Sequence, residues 1–113
     1  MKRSEIWLVK LDPTVGDEIT KTRPAVIVNN DKTGILSLKI VVPISDWKEQ
    51  HSIVPWLVRL EPTFENGLSK VSKADAFQVR SISQERFVKK IGALSERTMK
   101  EIAKALSIVL NLE

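Results

Sequence analysis

Two apolar strand segments joined by a polar loop constrain this chain more than anything else in it. Ile6-Trp7-Leu8-Val9-Lys10-Leu11 reads as a strand closed by Asp12-Pro13-Thr14, and Pro24 opens a second, Ala25-Val26-Ile27-Val28. Trp7, Val9 and Leu11 fall on one face of the first strand, Ile6 and Leu8 on the other. A strand apolar on both faces belongs near the centre of a sheet covered on two sides, so Trp7 is read as a core residue. The connecting loop, Gly16-Asp17-Glu18-Ile19-Thr20-Lys21-Thr22-Arg23-Pro24, ends in an arginine at the mouth of the second strand. Pro24 fixes its own φ and pushes Arg23 toward extended geometry. A guanidinium on so stiff a base suits phosphate, because its planar fork of donors matches phosphate oxygens. The competing reading has Arg23 capping a turn or pairing with Glu18.

The rest of the chain continues the β pattern. The second strand is expected over Pro24–Asn30, a turn over Asn29–Gly34, and a third strand over Leu36–Ile44, with Pro43 marking a strand end or an edge. Ser45 to Ser52 is a polar insertion holding Trp47 and His51. Pro55–Leu60 reads as a strand, and Glu61–Gly67 as a turn with an Asn-Gly signal. One or two strands follow over Leu68–Val71 and Ala74–Ser81. A helical turn capped by Ser83 covers 83–86, and Phe87–Ala93 returns as a strand. Ser95 then caps the one long helix, with Met99, Ile102, Ala103, Leu106 and Leu110 forming its apolar stripe. About six short strands and a terminal helix describe a small, strongly bent antiparallel sheet closing toward a barrel.

Composition narrows the chemistry. A length of 113 residues allows a single domain spanning 1–113 and no second one. The chain has no cysteine and one histidine, His51, which excludes disulfides, thiolate metal sites and a two-histidine ribonuclease mechanism. Its apolar runs are too short to span a bilayer and its start leads into a strand, so no membrane association and a cytoplasmic location are expected. The net charge of +4 permits a polyanionic partner. Basic side chains gather at Lys21 and Arg23, at Lys70 and Lys73, at Arg80, and at Arg86, Lys89 and Lys90.

The opening strands, Gly16-x-Glu18 and Thr22-Arg23-Pro24 resemble the start of the MazF/PemK ribonuclease toxins. Val42-Pro43-Ile44-Ser45, Gln78-Val79-Arg80-Ser81-Ile82, Glu85-Arg86-Phe87, Lys90-Ile91-Gly92-x-Leu94 and the terminal helix extend the resemblance in order over most of the chain. It implies a mainly β fold with a C-terminal α-helix: an SH3-like barrel of bent antiparallel strands, shared by MazF, PemK and CcdB. It also implies a homodimer, single-stranded mRNA as substrate, a cognate antitoxin whose acidic tail covers the RNA groove, and no cofactor or metal. Cleavage in that family proceeds by attack of the ribose 2′-hydroxyl on the adjacent phosphorus, leaving a 2′,3′-cyclic phosphate and a 5′-hydroxyl.

Carried over by motif, Arg23 addresses the scissile phosphate, and Ser45, standing where the family usually has threonine, one of its non-bridging oxygens. Glu18, Thr20, Lys21, Thr22, Gln78 and Arg80 are the expected substrate-binding residues. Gln78 is read either as contacting a base edge or as bonding a neighbouring loop. The chain departs from the Kid branch, which has a histidine after the glycine and an Arg-x-Asp triplet. Here Asp17 and Asp75-Ala76-Phe77 stand instead, so the general base is unassigned. Ile19 replaces the usual glutamine after Glu18. Two other readings are a non-catalytic nucleic-acid-binding module on the same barrel and a CcdB-type gyrase poison, for which the ending Val109-Leu110-Asn111-Leu112-Glu113 is a poor match.

Overall fold

The computed structural model describes residues 1–33 and 37–112. Seven strands precede one helix: β1 Glu5–Lys10, β2 Thr22–Ile27, β3 Leu38–Asp46, β4 Leu57–Leu60, β5 Ser72–Asp75, β6 Arg80–Ser83, β7 Phe87–Ala93 and α1 Glu96–Leu110. All pairings are antiparallel, in the order β4-β5-β3-β2-β1-β7, with β6 also on β3. The strongly bent antiparallel sheet expected from the sequence is present, with an unpaired seam between its end strands β4 and β7. The segment after β4 lies against β7, where the Ala93 N–H donates to Glu65 O at 2.9 Å. Gly67 has φ +68°, and a Cβ there would sit 1.9 Å from Ile91 O; one on Gly92 would sit 2.3 Å from the Asn66 carbonyl carbon. Only glycines permit so close an approach.

β3 is the branch point, and here the expectation for Pro43 fails. Leu38–Val41 pair with β6 and Ile44–Asp46 with β5, so Pro43, fully buried, falls where one partner gives way to the other. Its missing N–H removes no ladder bond there, and the proline marks neither an edge nor an end. The strand continues through Ser45 and Asp46 before a 3₁₀ turn at Glu49–Ile53, which shortens the expected polar insertion. Leu36 and Gly34, assigned to the third strand and its preceding turn, lie outside the described residues. Leu68–Val71 forms no strand. The Asn-Gly turn does not close a tight hairpin, because the buried Asn66 side chain is occupied in shaping the loop, accepting from the Thr63 and Leu68 N–H groups at 3.0 and 2.9 Å.

Two apolar clusters lie on the sheet. Ile6, Val26, Val42 and Ile44 pack with Met99, Ile102 and Ala105 of α1. Val9, Leu11, Ala25, Ile27, Val41 and Ile82 form the second cluster, flanked by Trp7, Ile19 and Phe87. Trp7 is thus half-buried, edge-on to Phe87 with ring centres 5.7 Å apart. The helix is capped by Ser95 as expected, its Oγ accepting the Thr98 N–H at 3.2 Å. Its stripe runs through Met99, Ile102, Ala105, Leu106 and Val109, leaving the expected Ala103 and Leu110 exposed. A period of 3.6 from Met99 and Ile102 reaches 105, 106 and 109, and carries 103 out to solvent. Among the described residues, no helix is long and apolar enough to cross a membrane.

Candidate active site

Arg23 stands in β2 opposite Val9 of β1, and Ala25 stands opposite Pro43 of β3. Arg23 and Ser45 stand two residues from that pair, in β2 and β3. Both line one cavity of about 360 Å³, together with Thr22, Asp46, Lys70 and Lys89. Arg23 Nε donates to Thr20 O at 3.3 Å, which fixes the side chain at its base. Its two terminal nitrogens make no hydrogen bond or ion pair among the described residues, and neither does Ser45 Oγ. The alternative pairing with Glu18 does not form: Glu18 Oε1 accepts the Val15 N–H at 2.6 Å inside the loop. Turn capping and a free guanidinium fork coexist in Arg23, because different nitrogens perform them.

Lys70 is one of the basic side chains gathered in the sequence, whereas Asp46 was not an expected site residue. Lys70 Nζ lies 3.0 Å from the Asp46 carboxylate. The hydrogen bond from Lys70 holds the Asp46 pKa below the ordinary aspartate value against partial burial, with Lys70, Arg23 and Lys73 adding attraction. The sequence signal for Asp46 is its adjacency to Ser45. Lys70 reaches the site only because the glycine contacts fold the 61–71 segment back over β7.

The other expected substrate-binding residues divide. Thr22 lines the Arg23 cavity, and Thr20 supplies the carbonyl that holds Arg23. Lys21 adopts φ +68°, and its carbonyl accepts the Leu11 N–H at 2.9 Å, closing the loop base. Glu18, Gln78 and Arg80 line a separate cavity of about 480 Å³ with Ile19, Pro43 and Phe77. Gln78 Oε1 accepts the Ile19 N–H at 2.7 Å, and its Nε2 donates to Asp17 O at 3.3 Å. Of the two roles open to Gln78, these bonds are those of loop support. Arg80 Nη1 donates to Leu11 O at 3.4 Å, and Arg86 Nη1 to Lys10 O and Asp12 O at 3.0 and 2.7 Å.

Beside Ser45 lies a third group. The Ser45–Lys73 and Lys73–Arg59 pairs form one row across β3, β5 and β4. His51, on the 3₁₀ turn, places Nε2 3.4 Å from Lys73 Nζ. Trp47 stands edge-on to His51 with centres 5.8 Å apart, and the Arg59 guanidinium lies 5.5 Å from the Trp47 ring centre. Desolvation lowers the His51 pKa, with the Lys73 and Lys48 ammonium groups adding to it against Asp75. Burial likewise lowers Lys73, opposed by Asp75 and Asp46.

Comparison with known proteins agrees with this architecture. Residues 2–110 match the model of the PemK-like, MazF-like toxins of type II toxin-antitoxin systems. Endoribonuclease MazF9 of Mycobacterium tuberculosis is 36% identical, the alignment covering 99% of this chain and 98% of that protein. A crystal structure of MazF from Deinococcus radiodurans superposes with a TM-score of 0.81 at 19% identity, covering 99% of this chain and 97% of that one. An endoribonuclease from a mycobacterial species, solved in complex with its cognate antitoxin, gives a TM-score of 0.77 at 18% identity, covering 100% and 97%. The full-length family match and the full-length relative together place this chain in the PemK-like, MazF-like family of type II toxins.

Proposed function

We propose that this protein is the toxin of a type II toxin-antitoxin system and an endoribonuclease that cuts single-stranded RNA in the Arg23–Ser45 cavity. The observation that carries the reading is the free guanidinium fork of Arg23 and the free hydroxyl of Ser45 lining one cavity. Arg23 binds the scissile phosphate with two donors, and Ser45 donates to a non-bridging oxygen. Both interactions strengthen as negative charge develops on the phosphorane formed by 2′-hydroxyl attack. Lys70 adds positive charge and is a readier proton donor to the leaving 5′-oxygen than a guanidinium, which rarely deprotonates. Asp46, the carboxylate that lines the cavity, takes the 2′-hydroxyl proton, although its pairing with Lys70 makes it a weak base. The catalytic weight therefore falls on charge stabilisation and positioning. These donors come from the protein itself, so the reaction needs no metal.

The same donors suit the carboxylates of a cognate antitoxin, the partner with which the mycobacterial relative was solved. The active form is a homodimer, as the family resemblance implies, and its place of action is the cytoplasm, where mRNA is translated. A homodimer is checked by sedimentation of the purified protein.

The test of activity is direct. Purified protein incubated with mixed RNA and EDTA should yield 2′,3′-cyclic phosphate and 5′-hydroxyl ends. Cleavage that requires magnesium, or products with 5′-phosphates, would overturn the mechanism. Arg23→Ala should lose about 10²-fold in rate, roughly 3 kcal/mol, with the fold intact. Ser45→Thr should be near neutral and Ser45→Ala impaired.

A further inference from the structure

The contact between His51 and Lys73 is incomplete as it stands. His51 Nδ1 accepts the Lys48 N–H at 3.0 Å, so Nδ1 carries no proton. A neutral imidazole then holds its proton on Nε2. That N–H faces Lys73 Nζ at 3.4 Å. An ammonium has three donors and no acceptor, and Lys73 has placed one donor on Asp46 O at 3.0 Å. Two donors thus converge with no acceptor between them, and an anionic oxygen seated against both would satisfy each.

We propose that Lys73 and His51 form a second phosphate site for the RNA strand, one cross-strand step from Ser45. The inference rests on the ribonuclease reading above and adds where the strand runs next. Ser45 and Lys73 are directly paired, so their side chains leave the same face of the sheet about 5 Å apart. A chain whose scissile phosphate lies on Arg23 and Ser45 meets Lys73 as its neighbouring cation. Trp47 flanks this position, edge-on to His51 and with the Arg59 guanidinium over its ring, and is an aromatic side chain of the kind on which bases stack. That combination fits nucleic acid better than an acidic peptide.

The groups facing the pair set its response to pH. Burial and the Lys73 and Lys48 ammonium groups oppose a proton on His51 while Asp75 favours one, and together they keep His51 below its ordinary pKa; Asp75 and Asp46 favour the charge on Lys73. A bound phosphate shifts that balance toward the protonated ring.

His51 is the sole histidine, so its ring resonances are assigned without ambiguity. The full protein is titrated by ¹⁵N NMR, alone and saturated with a mixed-sequence 2′-deoxy single strand, which lacks the attacking hydroxyl. Alone, the ring should show the Nε2-protonated tautomer. With the oligonucleotide, its pKa should rise by about one unit. Lys73→Met should reduce the logarithmic salt slope of binding by about 0.7, and Lys73→Arg should restore it. An oligonucleotide that binds and leaves the His51 pKa and the Lys73→Met slope unmoved overturns this site while RNA cleavage stands. A shift caused by a glutamate-rich peptide and not by the oligonucleotide also overturns it. Failure to bind the oligonucleotide and to cut RNA at all overturns both readings.

Discussion

The two faces of the central sheet are closed in different ways. On one, Ile6, Val26, Val42 and Ile44 meet the regular apolar stripe of α1, and contact between buried hydrocarbon closes the face. On the other, Val9, Leu11, Ala25, Ile27 and Val41 are covered by the β1–β2 loop, which contributes Ile19, and by Trp7 and Phe87. Long side chains tie that cover down through backbone atoms far away in sequence: Gln78 to Asp17 and Ile19, Arg86 to Lys10 and Asp12. A face closed by a few polar ties opens at lower free energy than one closed by a packed helix. The β1–β2 loop that closes this second face also holds Arg23, through Thr20 O, at a cavity whose apolar wall includes Ile44 and Leu68 of the first cluster. The helix closes the more stable face, and under the proposed function the loop of the other face positions the Arg23 guanidinium.

The comparison breaks most readily at the helix face. Ile102, about 1% exposed, sits inside the α1 cluster. Ile102→Ala should destabilise the protein by about 2–5 kcal/mol through lost burial and the cavity left behind. Urea denaturation checks that figure, and the cleavage rate per folded molecule should stay near the parental value. Ile19→Ala, half-buried under the loop, should do the reverse: about 1 kcal/mol in stability and a clear loss of cleavage. Equal losses of cleavage in the two variants would erase the distinction between the faces.

The next effect lies where the two faces meet, at the start of β1. Burial opposes ionisation of Glu5, yet hydrogen bonds from Trp7 Nε1, the Lys2 N–H and Lys90, with the N-terminal ammonium, hold its pKa down at about 2. The folded pKa lies below the unfolded 4.5, so folding favours the carboxylate. Its contribution is fully present above about pH 4.5 and is lost as the pH falls toward about 2. Of the order of 2 kcal/mol should go over that window. Glu5→Gln should be less stable at neutral pH by a similar amount and lose correspondingly less on acidification. Parallel stability curves for the two proteins would remove Glu5 from the account.

Sequence periodicity located the strands β1, β2 and β7 and the capped helix, because each presents an apolar pattern independent of its partners. Arg23 and Ser45 were legible from their motifs, and their common cavity follows from the pairing of β1, β2 and β3. Pro43 reads in the sequence as a strand end or an edge, because no local signal tells that a strand exchanges one neighbour for another at that residue. Ala103 has the spacing of a stripe residue although the helix turns it outward, because spacing alone leaves the phase ambiguous by one position. The pairing of Asp46 with Lys70 is not legible along the chain, because their contact spans 24 residues and depends on two glycines that let the 61–71 segment lie on β7. The His51–Lys73 contact, built from a turn and a strand, has no signature along the chain.

The smallest and most discriminating change is at Gln78, whose amide both accepts from the Ile19 N–H and donates to Asp17 O and, at 3.4 Å, to Asp75 Oδ2. Gln78→Glu keeps the acceptor and replaces the donor with a carboxylate oxygen that faces a carbonyl and a second carboxylate. Near neutral pH this should cost about 1 kcal/mol in loop closure and lower cleavage several-fold. Asp75 raises the pKa of the new carboxyl by like-charge repulsion, so a proton returns to it at mildly acidic pH and supplies the missing donor. Activity relative to the parent should therefore recover on acidification in Gln78→Glu and stay low throughout in Gln78→Ala, which has neither group. This divergence of pH profiles distinguishes a loop tie from a residue that reads a base. A base reader would change which RNA sequences are cut, and its two variants would lose activity in parallel across the pH range. Rate profiles on one fixed RNA, together with mapped cleavage sites for both variants, decide between them.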